Sequence, residues 1–182
     1  DTALEGAFDY LVPALGDTSL VFAAADGIGG IPPYAVAWRD GLTPGTDVAL
    51  DIPSPVTLGA PSFGAVVGPG TTFSWSALGL SARTFVWHLE STDFTIPLWE
   101  GIFVITARTS IELPEFFDFA VSSGAQVEWS VETHGDAPDV DALTGPEGFL
   151  DPFSVNESYP VGPRQGGGYF TESARNGATM SP

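Results

Sequence analysis

The chain has 182 residues, with 23 acidic side chains against five basic ones, all five of them Arg, for a formal net charge of -18 and a pI near 4.1. A polyanion meets nucleic acid and anionic membrane surfaces with repulsion rather than counterion release, so both are excluded as partners. With 43% hydrophobic residues, only 15% charged and a mean hydropathy of +0.17, the chain carries enough apolar matter for a packed core and is not a disordered acidic tail.

The absence of Cys removes disulfides, thiolate metal sites and a Cys nucleophile. Asp1 in place of an initiating Met sets the expectation of a mature secreted form whose signal peptide has been removed, hence an extracellular or cell-surface location. No apolar run nears the roughly 20 residues that a membrane helix requires.

Gly (22) and Pro (16) fall in short clusters spaced like turns. Between them apolar residues alternate with period two, the signature of half-buried strands. Phe8, Tyr10 and Val12 form the first row. Leu20, Phe22 and Ala24 form the second, Tyr34, Val36 and Trp38 the third, and Val48, Leu50 and Ile52 the fourth. Thr43-Pro44-Gly45-Thr46 supplies a tight turn between the last two, and Pro53-Ser54-Pro55, lacking amide protons, then interrupts pairing. These signals divide the chain into a small N-terminal β unit (1–52), a linker with a first strand (53–69) and a larger β unit (70–182).

In the larger unit the predicted strands carry Phe73 and Trp75; Phe85, Trp87 and Leu89; Phe103 and Ile105; Ile111 and Leu113; and Val127, Trp129 and Val131. Leu113 to Phe119 breaks the alternation, and Pro114 there suggests one short helical turn. From about 134 to 168 lies a long insertion rich in Pro, Gly and Asp, whose apolar anchors Leu143, Phe149, Leu150, Phe153 and Tyr159 predict a segment lying on a surface. A final strand is expected over Tyr169 to Met180, with Asn176-Gly177 placing a turn or bulge late in it. There is no internal repeat, and no low-complexity run beyond Gly166-Gly167-Gly168.

From Gly70 onward, the order is Phe73-Ser74-Trp75, then Phe85 to Leu89, then Thr109 to Pro114, a short helical turn, and Val127 to Val131. It resembles a fibronectin type III-like domain of bacterial secreted and surface proteins. In that family an early Trp sits on strand B, a strand C follows, a Leu-Pro pair ends strand E and an aromatic residue lies on strand F. The resemblance implies an all-β, immunoglobulin-like sandwich preceded by the smaller N-terminal unit, with an F-to-G insertion longer than the family's usual loop. A four-strand unit the size of residues 1–52 is marginal alone. It is expected to pack on the larger unit or on another molecule, and its edges invite strand addition.

Among chemistry-bearing residues, His88 alternates out of phase with Trp87 and Leu89 and belongs on the opposite sheet face, while His134 ends a strand. Two His with no Cys and no H-E-x-x-H spacing give little support to zinc or a triad, so structural roles are expected for both. No G-x-S-x-G exists, and Gly27-Ile28-Gly29-Gly30 does not lead from a strand into a helix, as a phosphate cradle requires. Glu90, Glu100, Glu112, Glu128 and Glu132 take alternate outward strand positions, where a solvated face carries its charge; a glycosidase pair among them is the minor reading.

Asp136, Asp139 and Asp141, followed by Glu147 and Asp151, form the densest cluster of hard oxygens, a compositional match to calcium without the EF-hand order. Trp38, Trp75, Trp87 and Trp129 are in phase with core rows, leaving Trp99 as the candidate sugar-stacking ring. Asn156-Glu157-Ser158 is an N-glycosylation acceptor triplet within the insertion.

The expectation is therefore a non-enzymatic extracellular structural protein, self-assembling into a surface fibre by β-strand addition. The alternative is a carbohydrate-binding or adhesion module assisted by calcium. The five Arg are scattered through the chain, so no basic face exists to meet an acidic partner. Any self-association must rest on strand pairing and apolar packing.

Overall fold

Alternating apolar and polar residues pair into strands along most of the chain described by a computed structural model, which covers residues 19–26, 33–42, 49–77, 84–92, 101–115, 123–135, 137, 139–144 and 168–181. The protein is all-β. In chain order the strands are β1 (Ser19–Asp26), β2 (Tyr34–Leu42), β3 (Thr57–Leu58), β4 (Ala65–Val67), β5 (Thr72–Ser76) and β6 (Phe85–Ser91). After these come β7 (Ile102–Thr106), β8 (Ser110–Glu112), β9 (Gln126–His134), β10 (Gly168–Glu172) and β11 (Asn176–Met180), with one short helix, α1 (Val140–Thr144), before β10.

Two sheets hold these strands. The smaller has three, in the order β3-β5-β8, and the larger has eight. In the larger sheet β9 is the axis: β6 pairs antiparallel along one of its edges, with β7 beyond, and β10 and β11 pair in line along the other. Glu172 lies opposite Glu132 and Asn176 opposite Trp129, so four steps on the outer strand answer three on β9, a bulge at Ser173 to Arg175. Ser173 closes the gap itself, because its hydroxyl accepts from the Val131 N–H at 2.9 Å while its own N–H donates to the Val131 carbonyl at 3.0 Å. β4 joins β11 in parallel, and the β1–β2 hairpin joins β10 through β2.

The main core lies where the inner faces of the two sheets meet. Phe73 from β5 inserts between Trp87 and Trp129, edge-on to both, with centroid separations of 4.9 and 5.2 Å. Trp75 meets Phe85 in the same manner at 5.8 Å. Val67, Leu89, Leu113, Val127 and Val131 close around them, all buried. Such aromatic pairs contribute about 0.5–1.5 kcal/mol each beyond their area burial.

A second, smaller cluster sits on the opposite face of the large sheet. Leu143 of α1 and Ala137 cover Val86, with Ile105 beside them, and the Thr84 hydroxyl donates to the Ala137 carbonyl at 3.2 Å. Leu143 thus serves as an anchor for the described part of the long insertion; Phe149, Leu150, Phe153 and Tyr159 lie outside the described residues.

Several sequence expectations shift. On β2 the residues buried are Ala35 and Ala37, while Tyr34 and Val36 are only half-buried, so the phase is opposite to that of the apolar row. On β7 Ile102 and Val104 pack against the main core and Phe103 is 44% exposed. Leu50 and Ile52 form no strand: Pro53 and Pro55 immediately follow, and neither can donate to a ladder. The bulge in the last strand falls at Ser173 to Arg175 rather than at Asn176-Gly177. The row Phe8, Tyr10 and Val12, the turn at 43–46 and the chain after Glu115 in the expected helical turn lie outside the described residues. Among the described residues no helix is long and apolar enough to cross a membrane.

Phe73 fills the gap between two buried indoles. Phe73→Ala is expected to destabilise the fold by about 3–5 kcal/mol in urea denaturation; a loss below about 1 kcal/mol would place the core elsewhere.

Candidate functional site

Two short motifs mirror each other on adjacent strands: His88-Leu89-Glu90 on β6 and Glu132-Thr133-His134 on β9. The spacing of two puts both ends of each motif on one face, while Leu89 and Thr133 turn to the other. Since β6 and β9 run antiparallel with Val86 opposite Glu132 and His88 opposite Ser130, all four ionisable side chains share the face away from the aromatic core. Register across β10 and β2 adds Glu172, opposite Glu132, and Tyr34, opposite Glu172.

Glu132 is the centre. Its Oε1 lies 3.1 Å from His88 Nε2 and its Oε2 lies 3.1 Å from His134 Nε2. The His88 contact is charge pairing without hydrogen-bond alignment, whereas the His134 contact is a hydrogen bond. Around this core Arg175, at the bulge, reaches Glu90 at 3.5 Å, Glu172 at 3.7 Å and Glu128 at 4.0 Å. Aromatic rings flank the imidazoles: Phe103 stands edge-on to His88 at 4.6 Å and Phe170 edge-on to His134 at 5.0 Å. The His134 side chain is 1% exposed and that of Arg175 46%, so the cluster runs from interior to surface.

Burial alone would push the Glu132 carboxyl up, but the positive field of His88 and the contacts from His134 and His88 outweigh it and hold the group at about 2. Burial alone would lower His88, and the Glu132 carboxylate, helped by Glu90 and Glu172, reverses this, so its net shift is upward. Glu172 is raised, chiefly by burial and also by the nearby Glu132 charge, against the lowering effects of the Tyr34 hydroxyl and Arg175. A carboxylate held near 2 is a weak proton acceptor at neutral pH, so the geometry suits charge pairing better than general-base work.

The residues singled out from sequence are distributed otherwise. Asp139 just before α1 and Asp141 in its first turn are both exposed, and Asp139 Oδ1 accepts from the Ala142 N–H at 2.8 Å, capping the helix. Asp136, Glu147, Asp151, Glu100, Trp99 and Asn156 lie outside the described residues. Trp75, Trp87 and Trp129 are buried in the core, and Glu112 is exposed on β8. Among the described residues no three His, Asp or Glu side chains are arranged to hold a metal ion. Glu90, Glu128, Glu132, His88 and His134, taken from sequence as a solvated face and two separate structural histidines, are instead one connected cluster. The signal was the mirrored H-x-E and E-x-H spacing, which gains meaning only once β6 and β9 are known to be neighbours.

No family model, curated protein or solved structure matches the chain.

Two pH limbs follow from the shifts. Glu132, lowered from 4.5 to about 2, contributes stability that is present above 4.5 and lost as pH falls toward 2. His88, raised from 6.5, contributes stability that is present below 6.5 and lost as pH rises through its folded value. Both are therefore in force between about 4.5 and 6.5. Within that window Glu132→Gln is expected to cost about 1.5–3 kcal/mol, the range for hydrogen bonds to charged groups, and to flatten the acid limb. Urea denaturation of both proteins across the pH range checks this, and equal midpoints at mid-window would deny Glu132 the role.

Proposed function

We propose that the protein is a non-enzymatic structural subunit of an extracellular or cell-surface assembly, an immunoglobulin-like sandwich of fibronectin III type that joins further copies of itself by β-strand addition. What carries this proposal is the state of the outer strands of the large sheet. Among the described residues β1 bonds only to β2, and β7 only to β6. Natural edges are blunted by Lys, Pro or interior charge. β1 reads Ser-Leu-Val-Phe-Ala-Ala-Ala-Asp and β7 reads Ile-Phe-Val-Ile-Thr, with no such residue in either before the terminal Asp26 of β1. Two edges that are unpaired among the described residues, on opposite sides of one sheet, favour a head-to-tail contact, and a heterologous contact that does not close propagates as a filament.

The sandwich type finds support in the strand order. β3, β5 and β8 stand as A, B and E of an immunoglobulin-like fold would, and β6, β9 and the β10–β11 line as C, F and G. β5 carries Trp75, β8 leads into Leu113-Pro114 and β9 carries Trp129, as the resemblance requires. The β1–β2 hairpin is an addition to that plan, attached beyond β10. The alternative of a calcium-assisted carbohydrate-binding or adhesion module rests on Trp99 and Asp136, which lie outside the described residues, and on Asp139, already engaged as a cap.

A net charge of -18 makes copies repel, so main-chain bonds and apolar contact must supply the cohesion. Assemblies seen by negative-stain microscopy and sedimentation velocity are expected to persist at about 1 M salt, where the Debye length is about 3 Å. Ala24→Lys, which puts a charge into the middle of β1, is expected to shift them to monomer. Compact wild-type monomers at every salt concentration would refute self-assembly.

A further inference from the structure

The β1–β2 hairpin reaches the rest of the large sheet by a narrow joint. Among the described residues β2 pairs only with β1 and β10, and the register of β10 on β9 covers only Phe170 to His134, Thr171 to Thr133 and Glu172 to Glu132. One backbone bond extends it at each end, from the Gly135 N–H to the Tyr169 carbonyl at 2.9 Å and from the Ser173 N–H to the Val131 carbonyl at 3.0 Å, where the strand bulges. On the core-side face of the joint, Thr171 and Thr133 stand opposite each other, both buried, and neither hydroxyl has a hydrogen-bond partner among the described residues. Buried unpaired hydroxyls add nothing to the joint and carry a desolvation cost. On the outer face two carboxylates, Glu172 and Glu132, stand directly opposite each other, an arrangement that is destabilising unless neutralised.

We infer that the Glu172–Glu132 pair, neutralised by His88 and Arg175 and bonded by His134, is a proton-controlled latch that holds β10, and through it the β1–β2 hairpin, on the core of the sheet. The latch is the regulatory half of the strand-addition proposal and rests on it for its consequence: docking of the hairpin decides where the open β1 edge is presented.

The groups that face the pair come from every neighbouring element. Among the described side chains, β6 contributes His88 and Glu90, β9 contributes Glu128 and His134, the bulge contributes Arg175 and β2 contributes Tyr34. Phe103 and Phe170 are the uncharged rings against the two imidazoles. Four carboxylates, Glu90, Glu128, Glu132 and Glu172, therefore share Arg175 and the imidazoles as their counter-charges. When the His88 proton leaves, Glu132 loses the cation 3.1 Å from its Oε1 and faces Glu172 less shielded. Tyr34, whose side chain bonds Glu172 and whose ring lies 5.7 Å from that of Phe170, carries the disturbance into the hairpin.

The direction is the same for both titrating partners. Glu172 is raised, so its contribution to the joint falls as pH rises from 4.5 upward, and the part of the upward shift of His88 that comes from Glu172 across the joint acts in the same direction from 6.5 upward. The joint is tight in mild acid and loosens in base.

Hydrogen exchange of the full chain, followed by mass spectrometry at about pH 5.5 and about pH 9 and corrected for intrinsic exchange rates, reads the latch directly. Protection of residues 34–42 and 168–172 is expected to fall on the order of tenfold at the higher pH, the factor carried by the loss of one charge-assisted contact, while β5 and β8 keep theirs. Glu172→Gln is expected to abolish that dependence. His88→Gln is expected to show the weaker protection at both pH values, which keeps the test decisive should the first variant fold poorly. Protection unchanged with pH, or the same change in Glu172→Gln, overturns the latch. Because exchange is measured on dilute monomer, absence of filaments at any pH would sink strand addition alone and leave the latch standing.

Discussion

Pairing along both edges of β9 is the constraint on which the rest depends. β6 runs beside it from Phe85 to Ser91 on one side, and β10 and β11 share the other. A strand fixed on both edges cannot slip, and a slip of one residue would exchange its two faces. Val127, Trp129 and Val131 then have to face the small sheet, and Glu128, Ser130 and Glu132 have to face away. The aromatic core and the histidine–carboxylate cluster are the two faces of one strand, and the register that seats Trp129 against Phe73 also aims Glu132 between two imidazoles.

That double role explains which parts of the molecule were legible in its sequence. Strands β5, β6 and β9 were readable because Phe73, Trp75, Trp87, Leu89 and Trp129 alternate with small or polar residues, and a one-sided pattern with large rings is the strongest local signal a strand can give. β2 and β7 gave a misleading phase. Tyr34, Val36 and Phe103 look like core residues by size, yet the main core takes Ile102 and Val104 and leaves Phe103 outward, and on β2 Ala35 and Ala37 are the buried positions. The large sheet carries apolar groups on both faces: Val86 is buried under Leu143, and His134 beside Phe170 is covered almost completely. Where both faces are partly covered, periodicity reports that a strand exists but not which way it faces.

The cluster was illegible for a different reason. His88 and Glu132 are 44 positions apart by their numbering, and nothing local distinguishes an outward Glu bound for water from one bound for an imidazole. Only the β6–β9 register converts H-x-E and E-x-H into four side chains on one patch. Arg175 shows the same dependence, since the bulge at Ser173 shifts the strand by one residue and brings that guanidinium among Glu90, Glu128 and Glu172.

The charge imbalance acquires a local meaning from this arrangement. With five Arg among 23 acids, most carboxylates have no cationic partner and must stay in water. Across the large sheet's outer face that solution fails at Glu132, whose side chain is only 19% exposed between imidazoles that Phe103 and Phe170 flank in turn. The sequence contains two His, and both stand against this one carboxylate. Permanent cations in their place would neutralise the patch at every pH. His88 does so only while protonated, and so the strength of the joint between β9 and β10 is tied to the proton concentration outside the molecule.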